Sequence, residues 1–266
     1  MKIAVAVLFC LCTGMTVFGR EIRVVSLSPA LTELVCHLGR ESVLVGRSAA
    51  CDVPETVKKL PVAGNFGSPF LEKLAVLKPD WVIANVFQDV SSVKSIESMG
   101  IRVAVFPLNS IADYRNAVSG LGKLLGAEKL ADEELSRVDR TVNGLRKRHP
   151  EDCKRPKVLF AVWSSPLLLP GKWSFLPELI LLAGGDPIGG DTPQEYFRAS
   201  PEWVLKTDPD VVIFPDGKAS GIPSWWTQLN ACRENRLFMP EDAGLFFRLS
   251  PRTGAMLLEM ERLLRK

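Results

Sequence analysis

A chain of 266 residues with 47% apolar content holds enough material for one large domain or two small ones with real cores. Its formal charge of +3 is spread over interspersed acids and bases, which leaves no basic footprint for nucleic acid and no polybasic block for an anionic membrane. With two histidines, His37 and His149, a multi-histidine metal site and a catalytic histidine are both excluded.

Residues 1–19 read apart from the rest. Lys2 precedes an apolar run from Ile3 to Cys12, and small and apolar residues lead to Val17-Phe18-Gly19, a cleavage site before Arg20. This predicts a secretory signal peptide cleaved after Gly19, with the mature protein exported and periplasmic. Cys10 and Cys12 follow Phe9 and Leu11, not the small residues of a lipoprotein signal, which disfavours a lipid anchor. Export puts Cys36, Cys51, Cys153 and Cys232 where disulfides persist, and four cysteines allow three connectivities. Two separate lobes would favour Cys36 with Cys51 and Cys153 with Cys232; buried free thiols are the equal alternative, since a chain this long needs no staples.

From Ile22, "IRVVSLSPA" predicts a strand ending at Ser28-Pro29, and "LTELVCHLG" a helix stopped by Gly39. "SVLVGRS" and "LPVAG" are further strands, Ser68 to Lys78 a helix, "DWVIAN" an apolar strand, Val90 to Met99 a helix and "IRVAVFP" a strand. The pattern resumes with "KVLFAVW" as a strand and "SFLPELILLAGG" as a helix. Pro201 to Thr207 is helical, "DVVIFP" a strand, "SWWTQL" a short helix, "RLFMP" a strand and Ser250 to Arg265 the terminal helix. Strands apolar on both faces, alternating with helices, predict parallel sheets covered on both sides. Between the halves, Leu135, Val138, Val142 and Leu145 form one apolar stripe on a charged helix. The expectation is an α/β chain of two Rossmann-like lobes, 20–126 and 150–266, joined by one long helix at 127–149, with a cleft between them.

One phrase is written twice: "EKLAVLKPDWVIA" from Glu72 and "EWVLKTDPDVVIF" from Glu202, 130 residues apart. In each, the glutamate opens a helix, Pro-Asp ends it and Val-Ile enters a core strand. An acid in a first turn gains about 0.3–1 kcal/mol from the helix dipole, which suffices for either glutamate alone. Two in equivalent places of two lobes suggest a shared surface.

Enzyme signatures are missing. The chain has no Gly-x-Ser-x-Gly elbow, Walker loop or Gly-x-Gly-x-x-Gly. "GLGKLLG" at Gly120 has one residue too many and sits in a helical stretch; "GGDPIGG" at Gly184 reads as turn chemistry. No catalytic residue, metal ligand or cofactor is assigned, and binding is the better reading. Ligands of open parallel sheets lie beyond the carboxyl ends of the strands. By position that edge collects Ser28, Pro29, Phe66, Gly67, Asn85 and Phe87 from the first lobe. Trp163, Ser164, Tyr196, Phe246, Phe247 and Arg248 come from the second. An aromatic, weakly charged cleft suits a large flat or greasy ligand.

"RVVSLSPALTELVCHLG", "LVGRSAACDVP", "LEKLAVLKPDWVIA", "GIRVAVFP" and "LFFRLSPRTG", in this order, resemble the periplasmic cobalamin-binding proteins of ABC importers, within the class that carries corrinoids, haem and ferric siderophores. The resemblance covers the whole mature chain. It implies a monomer whose partners are a small-molecule corrinoid and an ABC importer permease dimer with its ATPase, and whose Glu72 and Glu202 dock into arginine pockets of the permease. It also implies that Phe66 and Tyr196, each six residues before a docking glutamate, and Arg248 face the ligand. Ala50 and Gly244 depart from the family pattern, where a cleft tyrosine and an aspartate paired with the arginine can occur. "HLGRESVLVGRSAACDVP" favours the cobalamin branch, in which a cysteine pair at these positions is familiar.

Overall fold

The computed structural model describes residues 20–215 and 222–265, so the predicted signal peptide lies outside the described residues. The first half builds one sheet from β1 (Val24–Ser26), β2 (Leu44–Ser48), β3 (Val62–Asn65), β4 (Ser68–Pro69), β5 (Trp81–Ala84) and β6 (Arg102–Val105), in the order β4-β3-β2-β1-β5-β6. All pairings are parallel except that of β4 with β3. β1 sits in the middle and is buried along its whole length, as a strand covered on both faces must be. Helices α1 (Pro29–His37), α2 (Leu71–Leu77), α3 (Val90–Ser98) and α4 (Ile111–Leu125) cover the sheet. The helix expected from Ser68 begins at Leu71, because Ser68 and Pro69 turn back to pair with Asn65 and Gly64.

The long helix, α5 (Glu128–Arg148), has 21 residues and spans about 30 Å. Beyond it, β10 (Asp186–Pro187), β7 (Lys157–Phe160), β12 (Val211–Ile213) and β13 (Leu237–Phe238) form a parallel sheet in that order. β8 (Trp163–Ser164), β9 (Leu167–Pro170) and β11 (Tyr196–Arg198) form a small antiparallel sheet that the sequence pattern does not announce. The helices here are α6 (Leu176–Leu182), α7 (Pro201–Thr207), α8 (Asn230–Arg233) and α9 (Thr253–Arg265). "GGDPIGG" is a turn only in part: Asp186 and Pro187 pair with β7 as an edge strand.

One apolar cluster runs through the whole molecule, from Leu31 and Leu34 of α1, through Val138, Val142 and Leu145 of α5, to Phe160, Leu179 and Met260 of the second lobe. Each sheet has a smaller core on its other face, around Leu74 and Val82 in one lobe and Trp226 and Val212 in the other. The lobes therefore share the face of α5 that the stripe of valines and leucines marks.

Polar ties fix the ends of this spine. His37 of α1 lies 3.0 Å from Glu134 of α5, and His149 at the far end of α5 lies 2.7 Å from Glu261 of α9. Glu261 also accepts from Arg148 at 2.8 and 2.9 Å and from Arg265 at 2.7 Å. The Arg148 hydrogen bond above all, against burial and aided by His149, holds the Glu261 carboxyl at about 2, down from 4.5. A depressed folded-state value means a contribution to stability that is complete above the unfolded value and lost as pH falls through the folded one. The melting difference between the wild type and Glu261→Gln should hold from neutral pH down to about 4.5 and vanish as pH approaches about 2; a difference that grows on acidification contradicts it.

Cys36, Cys51, Cys153 and Cys232 are free thiols, the second of the two readings the sequence left open, and neither bridge of the Cys36–Cys51, Cys153–Cys232 pairing is formed. Cys51 is buried, its Sγ 3.1 Å from the hydroxyls of Thr32 and of Ser48. Burial first, then the Glu41 and Glu33 carboxylates, push the Cys36 thiol up to about 12.

Candidate ligand cleft and docking surface

Three loops are knitted together at the carboxyl edge of the first sheet. Gly67 donates its N–H to the Leu27 carbonyl at 3.1 Å and accepts from Gln88 N–H at 3.0 Å. Its φ of +62° and the 2.6 Å that would separate a Cβ from the Val86 carbonyl demand glycine there. This tight contact buries Gly67 and turns Phe66 outward, 39% exposed. Asn85 and Phe87, on the adjoining loop, are half-buried. The Asn85 side-chain oxygen is buried and has no hydrogen-bond partner among the described residues. Ser28 and Pro29 are corrected: both are fully covered, with the Ser28 hydroxyl accepting from Leu31 N–H at 3.4 Å to cap α1.

In the second lobe the β8–β9 hairpin carries Trp163, 52% exposed, its indole N–H bound to the Ser165 carbonyl at 2.9 Å. Ser164, beside it, is half-buried. Tyr196 pairs with Pro170 across β11 and β9; burial pushes its phenol up, against a hydrogen bond with Ser174. Phe246 and Phe247 part ways. Phe246 is fully buried, tilted on Phe160 with centroids 6.1 Å apart, so it belongs to the core and not to the cleft surface; Phe247 is 41% exposed. Sequence reasoning passed over Trp173, exposed in the Gly171–Ser174 segment, whose backbone is pinned to Thr192, Gln194 and Glu195. The only signal was a tryptophan next to glycine and lysine in a loop.

Arg248 crosses between lobes. Its guanidinium lies 2.6 Å from Glu33 of α1 and 2.9 Å from Asp52 in the loop after β2. Arg252 stands beside it, 2.8 Å from Asp242 and 3.7 Å from Glu33. The acids that hold Arg248 thus come from the opposite lobe, which explains how the chain manages with Gly244 where a local aspartate was expected. Ala50, next to this loop, is exposed.

The repeated phrase builds the same device twice. α2 and α7 have seven residues each and end on left-handed Lys78 and Asp208, both at φ +46°. Asp80 accepts from Arg23 N–H at 2.7 Å and donates its own N–H to the Arg23 carbonyl at 2.8 Å. Asp210 does the same with Lys157, at 2.7 and 2.9 Å. The two basic side chains then reach the last turn of the helix: Arg23 donates to the Leu77 carbonyl at 2.8 Å, Lys157 to the Thr207 carbonyl at 3.1 Å. Pro-Asp is therefore a clasp between a helix end and the first strand of its lobe, and a basic residue at the start of that strand, Arg23 just before β1 and Lys157 opening β7, completes it. Glu72 and Glu202 occupy equivalent, exposed places in the opposite turns of these braced helices. Glu202's own backbone N–H first, then the Ser200 hydroxyl, hold its carboxyl below the usual range.

A family description reading "Periplasmic binding protein" matches residues 24–238, across both sheets and the spine. The chain belongs to the periplasmic binding protein family. Such a periplasmic binding protein binds its ligand and does not turn it over. The "Vitamin B12-binding protein" of Vibrio vulnificus is 23% identical over 234 residues, 87% of this chain and 85% of that protein. The periplasmic vitamin B12-binding protein of Vibrio cholerae has the same fold with a TM-score of 0.81 and 20% identity, over 91% of this chain and 96% of that one. The periplasmic heme-binding protein of Vibrio cholerae also reaches 0.81, with 22% identity over 93% and 100% of the two chains. This periplasmic binding protein has two lobes of α/β structure joined by a long helix, and among its described residues no helix is long and apolar enough to cross a membrane.

Proposed function

We propose that this protein captures cobalamin or a related corrinoid between its lobes and delivers it to an ABC importer permease in the periplasm. The observation that carries the ligand choice is the set of exposed aromatics Phe66, Trp163 and Phe247, from both lobes. Flat apolar surface of this kind is what a macrocycle stacks on. The vitamin B12-binding relatives support the same choice. Each lobe offers one braced acid, Glu202 and Glu72, to one half of a dimeric permease.

Titration with cyanocobalamin should quench tryptophan fluorescence with saturation on the order of micromolar or tighter. No response up to tens of micromolar, roughly, refutes the corrinoid. Tyr196 favours one competitor, haem, since a phenolate can serve as an axial iron ligand. The appearance of a Soret band that Tyr196→Phe abolishes would decide for it.

A further inference from the structure

The ion cluster at the lobe junction bears on ligand charge. Two guanidiniums, Arg248 and Arg252, face three carboxylates, Glu33, Asp52 and Asp242, so the group carries a net negative charge. The carboxylates differ in kind. Glu33 is 5% exposed and cannot leave Arg248 without stranding a charge indoors, whereas Asp52 is 54% exposed and shares the outer side of the same guanidinium. Arg248 therefore meets the cleft already paired from both sides, and the outer partner is the one an incoming anion would have to replace.

We propose that Asp52 is a specificity-determining residue that selects against anionic ligands by occupying Arg248. The inference rests on the reading of this cleft as the ligand site, and it names the charge class of the ligand: neutral chelates are admitted, carboxylate-bearing ones are disfavoured. An anion approaching Arg248 meets Asp52 at close range and Asp242 beyond it, while a neutral macrocycle that stacks on the aromatics displaces nothing. The preference is set by one loop residue whose partner lies 196 positions away.

The test compares haemin, which carries two carboxylates, with neutral cyanocobalamin, on the wild type, Asp52→Asn and Asp52→Glu. Melting temperatures confirm that all three are folded. For Asp52→Asn the haemin-to-cyanocobalamin affinity ratio should rise roughly fivefold, the size of one exposed ion pair, and the rise should fade in high salt. Asp52→Glu should keep the wild-type ratio. A ratio that is the same in the wild type and Asp52→Asn overturns the proposal. If cyanocobalamin fails to bind but Asp52→Asn still tightens haemin, the corrinoid falls and the role of Asp52 stands. If no form binds either probe, both readings fall.

Discussion

Reversing both acids proposed to dock, Glu72→Arg with Glu202→Arg, should abolish uptake of labelled cyanocobalamin while leaving the affinity of the purified protein for that compound unchanged. Both glutamates are exposed first-turn residues at the helix ends opposite the clasps, and neither is one of the aromatic or Arg248 groups that make the candidate cleft, so both substitutions change surface charge and leave those groups in place. Each helix is held by its own clasp, Arg23 and Asp80 in one lobe and Lys157 and Asp210 in the other, which keeps the helices in place when a surface charge changes. At a protein interface, removing one member of a close charge pair costs about 2–5 kcal/mol, and reversal adds repulsion. Uptake should therefore fall at least a hundredfold or so for the double variant, with single reversals intermediate. Capture of the permease by immobilised protein in detergent gives a readout independent of the cargo. Undiminished capture by the double variant would remove these acids from the interface.

The second large effect lies in the spine. Glu134 has a fully buried side chain on α5 and receives the Tyr114 hydroxyl at 2.7 Å and Arg137 at 2.8 Å through two nitrogens, with His37 at 3.0 Å. Burial alone would raise this carboxyl, but hydrogen bonds to His37, Tyr114 and Arg137 outweigh it and hold it below the usual range. Arg137 also donates to the Pro251 carbonyl, so the group ties α1, α4, α5 and the segment before α9 into one junction. Glu134→Ala leaves a phenol, an imidazole and a guanidinium without their common acceptor. Breaking a buried ionic group from one side costs about 3–5 kcal/mol. For a chain of this size that is a melting shift on the order of 10 °C. Glu134→Gln, which keeps the volume and an acceptor, should lose less. Equal melting of Glu134→Ala and the wild type would show that the junction carries no stability.

The fold was legible wherever a pattern was long and local. The apolar strands at Val24, Val82, Val158 and Val211, and the stripe Val138-Val142-Leu145, follow the periods of strand and helix, and each is buried. The small sheet of Trp163 to Arg198 was not legible: its strands have two to four residues, interrupted by Pro166 and Pro170, and its pairings are made across loops. For the candidate cleft residues, a place after a strand says nothing of which way a side chain faces. Phe246 and Phe247 are chemically identical neighbours in a short 3-10 turn, where no alternation says which one faces inward. Ser28 satisfies a helix cap before any ligand, a competition that a position after a strand does not reveal. Nothing in the local sequence marks Glu33 as buried, because the cations that justify its burial lie more than two hundred positions further along. The repeated glutamates were visible as a repeat, but the basic residues that brace their helices stand in a different stretch of chain.

The leucines and valines of the spine belong to two bodies at once. Spreading those bodies would wet surface that costs about 25 cal/mol for every Å², so the shared core resists any widening of the gap between them. In the proposed role, a loaded carrier built this way can change its posture only by giving up part of that shared core. Whatever widens the mouth to free the cargo in that role has to supply this cost.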